Sequence, residues 1–229
     1  MIKISCLIPA YNEGPRIRNV LKAVDGHPLI NEIIVIDDCS KDDTSKVVSE
    51  FQTVRLVKHE INKGKSQAII TGLREARNDT VMLIDADLVG ITAQDIANLV
   101  KPVIDNEADM SISLRKNAPA VWHWIGLDYI SGERVLPKEL LLSHVFEIAK
   151  LRPFGLETWM NKLIIAEKYR IKVVHWNHVE SPFKYNKSGK KYNPFIAIKD
   201  ELPMMRDIFK TASPIAILAM IYRMRSLCV

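Results

Sequence analysis

The sequence predicts an α/β fold, a mostly parallel central sheet with helices on both faces. Two observations predict it. Apolar strands and amphipathic helices alternate through the first half of the chain, and that order implies parallel strands joined by helical crossovers. Three of the strands also finish in acids or amides, at 10–13, 37–40 and 85–87. In an open parallel sheet ligands bind outside the carboxyl ends of the strands, so these three tips are expected to share one crevice.

Taken in order, residues 2–8 form a first apolar strand that breaks at Pro9 into Ala10-Tyr11-Asn12-Glu13. Ile17, Val20, Leu21 and Val24 then mark a helix with one apolar stripe. Residues 33–36 are the second strand, and Asp42-Asp43-Thr44 caps a helix carrying Val47, Val48 and Phe51. A short strand follows at 54–57. Gly64 opens a helix whose Ala68, Ile69, Gly72, Leu73 and Ala76 keep the helical stripe, leading to the strand that delivers Asp85 and Asp87. Thr92 starts the next helix and 110–114 reads as a strand. In the second half, 136–150 and 157–169 read as helices, 171–176 as a strand, and the chain from Pro194 as helical, interrupted near Pro203 and Pro214.

With 229 residues, 48% of them hydrophobic, the chain is long enough for one large domain with its own core. A net charge of +5 suits anionic ligands or acidic membrane surfaces, although an excess of this size also serves solubility. Nothing points to a nucleic-acid partner. Cys6, Cys39 and Cys228 are odd in number and lack metal-ligand spacing, so a reducing, cytoplasmic setting is expected. The chain enters a strand with no signal-peptide pattern, and the late apolar run 215–222 is far short of the ~20 residues that span a bilayer. Lys184, Lys187, Lys190, Lys191 and Lys199 make 181–199 an acid-free basic loop.

The chemistry centres on Asp85-Ala86-Asp87. On an extended backbone, residues i and i+2 face the same way, so two carboxylates can converge on one hard divalent cation that also holds a diphosphate. Alone the pattern is weak, because aspartates also gather in turns that follow strands. No glycine-rich arginine loop follows the first strand, as a sugar nucleotidyltransferase would require, and no G-x-G-x-x-G follows any strand. A non-catalytic sugar-nucleotide or membrane-binding module of the same fold, or a sugar nucleotidyltransferase, stands as the alternative.

Four motifs stand in order over residues 1–115: Pro9-Ala10-Tyr11-Asn12-Glu13, the segment 35–44 with Asp37-Asp38, Asn62-Lys63-Gly64-Lys65 with Ala68 and Gly72, and Asp85-Ala86-Asp87. Together they resemble family 2 glycosyltransferases, inverting nucleotide-sugar enzymes of the GT-A fold. The resemblance implies one domain over 1–229, with a nucleotide-sugar-binding half at 1–115 and an acceptor-binding half at 116–229. It implies that Pro9, Tyr11, Glu13 and Asp38 line the nucleoside pocket, that Lys65 meets the diphosphate, and that Asp87 directly, and Asp85 through ribose or water, hold Mg²⁺ or Mn²⁺. The expected reaction is transfer of a sugar from a nucleotide-diphosphate sugar to an acceptor, with a polyprenyl phosphate or another phosphate-bearing molecule as candidates.

The same resemblance makes Glu157 the candidate base and, through Gly132-Glu133-Arg134, gives Arg134 an acceptor phosphate and leaves the stereochemistry open. Each has a plainer reading. Asp37 and Asp38 also suit a turn and cap, Lys65 a solvated surface, Glu157 a helix start, and Arg134 a surface ion pair. His175 and His178 are candidates for a further metal ligand or for ordinary core or loop histidines. Trp122, His123 and Trp124 suit core packing or a sugar or lipid platform. The apolar-basic tail ending at Arg225 suits a packed terminal helix or peripheral contact with an anionic membrane.

Overall fold

A computed structural model describes residues 2–151, 155–182 and 213–229. The first half runs β1 (Ile4–Ala10), α1 (Gly14–Val24), β2 (Glu32–Asp37), α2 (Thr44–Ser49), β3 (Val54–Lys58), α3 (Lys65–Glu75), β4 (Thr80–Leu83), α4 (Ala93–Ile104) and β5 (Met110–Arg115). The second half adds α5 (Ala120–Ile125), β6 (Arg134–Pro137), α6 (Lys138–Leu142), α7 (Val145–Ile148), α8 (Leu156–Ala166), β7 (Ile171–Trp176) and α9 (Pro214–Ser226).

The strands form one sheet in the order β3-β2-β1-β4-β6-β5-β7, parallel except where β6 runs against β4 and β5. Strand periodicity explains how it is filled. Along β1, Ile4, Cys6 and Ile8 pack on one face with Ile17 and Leu21 of α1, while Leu7 packs on the other with Leu73 of α3. A one-residue slip would exchange side chains between the two buried faces, setting Ile4 and Ile8 against α3 and Leu7 against α1, where the volumes no longer match. The register is therefore fixed, and with it the positions of the strand tips.

The chain leaves β1 toward β2 and β3 on one side and returns to β4 on the other. Where such an order reverses, the loops after the strands part and leave a crevice at their carboxyl ends. The first strand runs through Pro9 to Ala10 instead of breaking at Pro9. Ile84 N–H donates to Leu7 O at 3.1 Å, so Pro9, two residues on, faces the same neighbour, which has ended as a strand at Leu83. Its missing N–H therefore costs no ladder bond.

Three other expectations are corrected. The strand before the two acids stops at Leu83, so Asp85 and Asp87 lie beyond it in a turn. The helix expected over 136–150 is replaced by β6, whose Leu136 pairs with Val81, followed by the short α6 and α7. Trp124 is 88% exposed and does not join the core, whereas Trp122 packs against it and lies 6.0 Å from the Tyr129 ring. The basic loop 181–199 from 183 onward, and the helix expected from Pro194 as far as 212, lie outside the described residues.

Candidate active site

Two loops at the sheet's carboxyl edge are braced against each other. Asn12, at φ 55°, donates its N–H to Ser40 Oγ at 2.9 Å and accepts the Lys41 N–H on Oδ1 at 2.8 Å. Glu13 N–H donates to Thr44 Oγ1 at 2.8 Å, and Gly14 N–H to Asp42 Oδ2 at 3.0 Å. These bonds satisfy amides that the start of α1 would otherwise leave open, since Glu13 supplies no side-chain cap. The brace brings the ends of β1 and β2 to one rim.

Asp37 and Asp38 then divide their work. Asp37 is the turn residue: its carboxylate accepts from Ser40 N–H at 2.8 Å and from the Ser45 hydroxyl. Asp38 faces the crevice. Its Oδ1 accepts from His59 Nδ1 at 2.7 Å and Lys63 N–H at 2.8 Å, and its Oδ2 from Gly64 N–H at 2.7 Å. Gly64 sits at φ 86°, a backbone region that side chains disfavour, which lets its amide turn to Asp38 just before α3 begins.

The crevice is lined by Pro9, Tyr11, Glu13, Asp38, Lys65, Asp85 and Asp87, with Ala10, Ala68 and Ala86 between them. Tyr11 stands 44% exposed at the lip, and Glu13 Oε2 pairs with Arg16 Nε at 2.6 Å. Lys65, first residue of α3, does not project into solvent. Its Nζ lies 2.8 Å from Asp85 Oδ1 and 3.1 Å from Glu157 Oε1. Burial works against this ammonium, but the charges of Asp85 and Glu157 outweigh it and hold Lys65 above its ordinary range. Glu157, in the first turn of α8, is thereby tied to the crevice through Lys65 without lining it.

Arg134 is corrected. It was expected to hold an acceptor phosphate, but it lies fully buried in β6, with Nε donating to Ser131 O at 2.8 Å, Nη1 to Asn161 Oδ1 at 2.7 Å and Nη2 to Tyr129 O at 3.4 Å. Burial pulls its guanidinium down to about 10. A four-residue strand sandwiched between two others takes its side chains inside, which the Gly-Glu-Arg pattern alone does not reveal. Neither histidine joins the crevice lining: His175 is exposed, and His178 Nε2 lies 3.0 Å from Asp95 Oδ2, at the capped start of α4.

Several residues beneath the crevice escaped the sequence reading. His59, directly after β3, reaches Asp38, and a neighbouring-strand argument could have found it because β2 and β3 end side by side. Arg115 lies 3.3 Å from Asp128 Oδ2 and 3.5 Å from Glu133 Oε2, both fully buried acids. Burial pushes the Asp128 carboxyl up despite the Arg115 charge. A Cβ on Gly132 would stand 3.0 Å from Lys65 Nζ and 3.2 Å from both Asp85 carboxylate oxygens, so the absence of a side chain there makes room for that pair.

Four carboxylates and one ammonium therefore line the crevice, a formal excess of negative charge. A diphosphate would be repelled there unless a cation came with it, and Asp85 and Asp87 offer the hard oxygens that Mg²⁺ and Mn²⁺ take. Among the described residues no group of three or more acids, histidines or cysteines is arranged to hold a metal ion, so phosphate or water oxygens would have to complete such a cation's coordination.

A mostly parallel seven-stranded sheet with acidic tips around one crevice is a GT-A-like α/β fold. The model of glycosyl transferase family 2 matches residues 5–158, and the chain belongs to that family. It is 32% identical over 214 residues to the UDP-N-acetylglucosamine–dolichyl-phosphate N-acetylglucosaminyltransferase of Methanococcus voltae, covering 74% of this chain and 82% of that protein. It is 30% identical over 208 residues to the dolichol-phosphate mannosyltransferase of Pyrococcus furiosus, covering 80% of this chain but 56% of that longer protein. Among solved structures, glucosyl-3-phosphoglycerate synthase of Mycobacterium tuberculosis, crystallised with Mn²⁺, UDP-glucose and phosphoglyceric acid, superposes with a TM-score of 0.68 at 21% identity, over 92% of this chain and 79% of that one. That likeness is one of fold.

Proposed function

We propose that the chain transfers a sugar from a nucleoside-diphosphate sugar to a phosphate-bearing acceptor, a polyprenyl phosphate first among them, at the cytoplasmic face of a membrane. Residues 1–115 hold the donor and 116–229 the acceptor. One observation carries this reading: Glu13, Asp38, Asp85 and Asp87, from three separate strand tips, line a single crevice with Lys65. The two dolichyl-phosphate relatives support the acceptor class.

In this reading the Tyr11 ring packs against base or ribose and Asp38 accepts a hydrogen bond from a base N–H. Asp87 directly, and Asp85 through ribose or water, hold Mg²⁺ or Mn²⁺. When bound, that cation stabilises the negative charge growing on the leaving diphosphate. Lys65, at the N-terminus of α3, is placed to exchange Asp85 for phosphate oxygens, where the free amides of the helix start add to its charge. Glu157 is the candidate base for a hydroxyl acceptor, and its Oε1 is engaged by the Lys65 ammonium at 3.1 Å. That suits an acceptor phosphate, which arrives ionised and needs no strong base, and Glu157 then orients Lys65.

Thermal denaturation against a panel of nucleoside diphosphates, with and without Mn²⁺, tests the donor site, because a bound ligand raises the midpoint with its affinity. At least one diphosphate is expected to raise it, and more strongly with the metal. No shift from any of them overturns the reading. Asp87→Ala is expected to lower donor turnover at least ~100-fold, in line with the share carried by transition-state charge stabilisation. Turnover undiminished in that variant, or in excess chelator, refutes the metal assignment.

A further inference from the structure

We infer that His59 is a positioning residue for donor binding: it links Asp38, on the crevice wall, to Thr71 in α3, and so fixes the carboxylate on which the nucleoside rests. The inference rests on the nucleotide reading above and extends it to a residue outside the crevice lining.

His59 is 8% exposed, and both ring nitrogens are engaged. Nδ1 lies 2.7 Å from Asp38 Oδ1, and Nε2 lies 2.9 Å from Thr71 Oγ1. A carboxylate only accepts, so Nδ1 carries the hydrogen in that bond. The backbone fixes His59 beside the end of β2 as well, since its N–H donates to Asp37 O at 2.9 Å. The ring therefore has little freedom to turn. A carboxylate has about four lone-pair positions. Among the described residues, His59 and the Lys63 amide take two on Oδ1, and the Gly64 amide takes one on Oδ2. One position on Oδ2 remains for a ligand donor.

Without the imidazole, Asp38 keeps its amide bonds to Lys63 and Gly64 but loses the one side-chain partner it has among the described residues, and with it the tie to Thr71. The carboxylate is then held by two backbone amides alone and is freer to tilt from the crevice. Binding of the nucleoside should suffer, while the chemistry at the diphosphate, which depends on Asp85, Asp87 and Lys65, should not. This division separates positioning from a merely structural role, which would lower both or neither.

The test uses calorimetric titration of the full chain with UDP and, in parallel, GDP, each with Mn²⁺, alongside steady-state hydrolysis of UDP-glucose and GDP-mannose. His59→Phe fills the space without a donor. It is expected to raise Kd and donor KM about tenfold, the effect of weakening the one hydrogen bond that a firmly held Asp38 would make to the nucleoside, with kcat within about threefold of wild type. His59→Asn places an amide donor near Nδ1 and should recover most of the affinity. Circular dichroism establishes that each variant is folded. If folded His59→Phe binds as wild type does, if His59→Asn fails to rescue, or if kcat falls with KM unchanged, the inference is overturned alone. Wild type that binds neither diphosphate overturns the nucleotide reading itself, and the inference with it.

Discussion

At the scale of single residues, the crevice depends on one side chain that is not there. A Cβ on Gly132 would meet Lys65 Nζ and both Asp85 oxygens at distances tighter than most real Cβ contacts, so those groups would have to give by a few tenths of an ångström. Its backbone is not in the left-handed region, so alanine is acceptable to the main chain. The groups that would have to move are the tips of flexible side chains. Although Gly132 is buried, Gly132→Ala should therefore leave the thermal midpoint within a few degrees, as a change of about 1 kcal/mol does. It should also push Lys65 from Asp85 and lower donor turnover about tenfold or more, because catalysis is sensitive to sub-ångström misplacement. Denaturation and turnover measured on the same preparation check both halves, and unchanged turnover defeats the argument.

At the scale of elements, the two rim loops stand or fall with Asp42. Partial burial works to raise its carboxyl, but the Thr44 hydroxyl and amide and the Gly14 amide outweigh that and hold it below the ordinary range. An acid whose folded value is depressed contributes stability above its unfolded value, near ~3.9, and loses that contribution as pH falls through the lower folded value. The gap in melting midpoint between wild type and Asp42→Ala should thus be steady above about pH 5 and close on acidification below about pH 4. A gap that widens in acid contradicts the brace. The same loops show what a sequence can disclose. Apolar stripes such as Ile17-Val20-Leu21-Val24 disclosed their helices because burial of one face decides them. The capping box of Thr92 and Asp95 was half legible, from Thr92 alone. Strand β6 was not legible: Val135 and Leu136 are buried in a four-residue segment, and Leu136 begins a run that Leu140 and Leu141 continue like a helical stripe. Asp38, Asp85 and Asp87 were legible as candidates because strand ends in a parallel sheet converge, and Lys65 because it opens a helix within a motif of the family. The roles of Arg134, His59 and Gly132 depend on which strands neighbour each other, and local pattern does not carry that information.

At the scale of the whole molecule, α9 joins the second half of the chain to the question of the acceptor. Its Ile217, Ile221 and Met224 are buried in the core beside α8, which accounts for one face. The opposite face presents Ile215, Leu218 and Tyr222, exposed at 80%, 66% and 77%, with Arg223 and Arg225 at its end and no acid anywhere on the helix. No helix among the described residues is long and apolar enough to cross a membrane. Under the proposed polyprenyl-phosphate reading, an apolar stripe bordered by arginines would lie on the bilayer, where each basic residue near an anionic surface adds about 1 kcal/mol. A polyprenyl phosphate acceptor makes such contact useful, because its headgroup is presented at that surface. Flotation with vesicles should therefore carry the protein upward when they contain phosphatidylglycerol and far less when they are phosphatidylcholine alone, with the difference fading at high salt. Replacing Ile215, Leu218 and Tyr222 together by serine removes the stripe without touching the buried face, so the variant should fold and stay at the bottom of the gradient. Wild type that remains there with anionic vesicles would point to a soluble phosphate-bearing acceptor, and a triple variant that floats as wild type does would remove α9 from the contact.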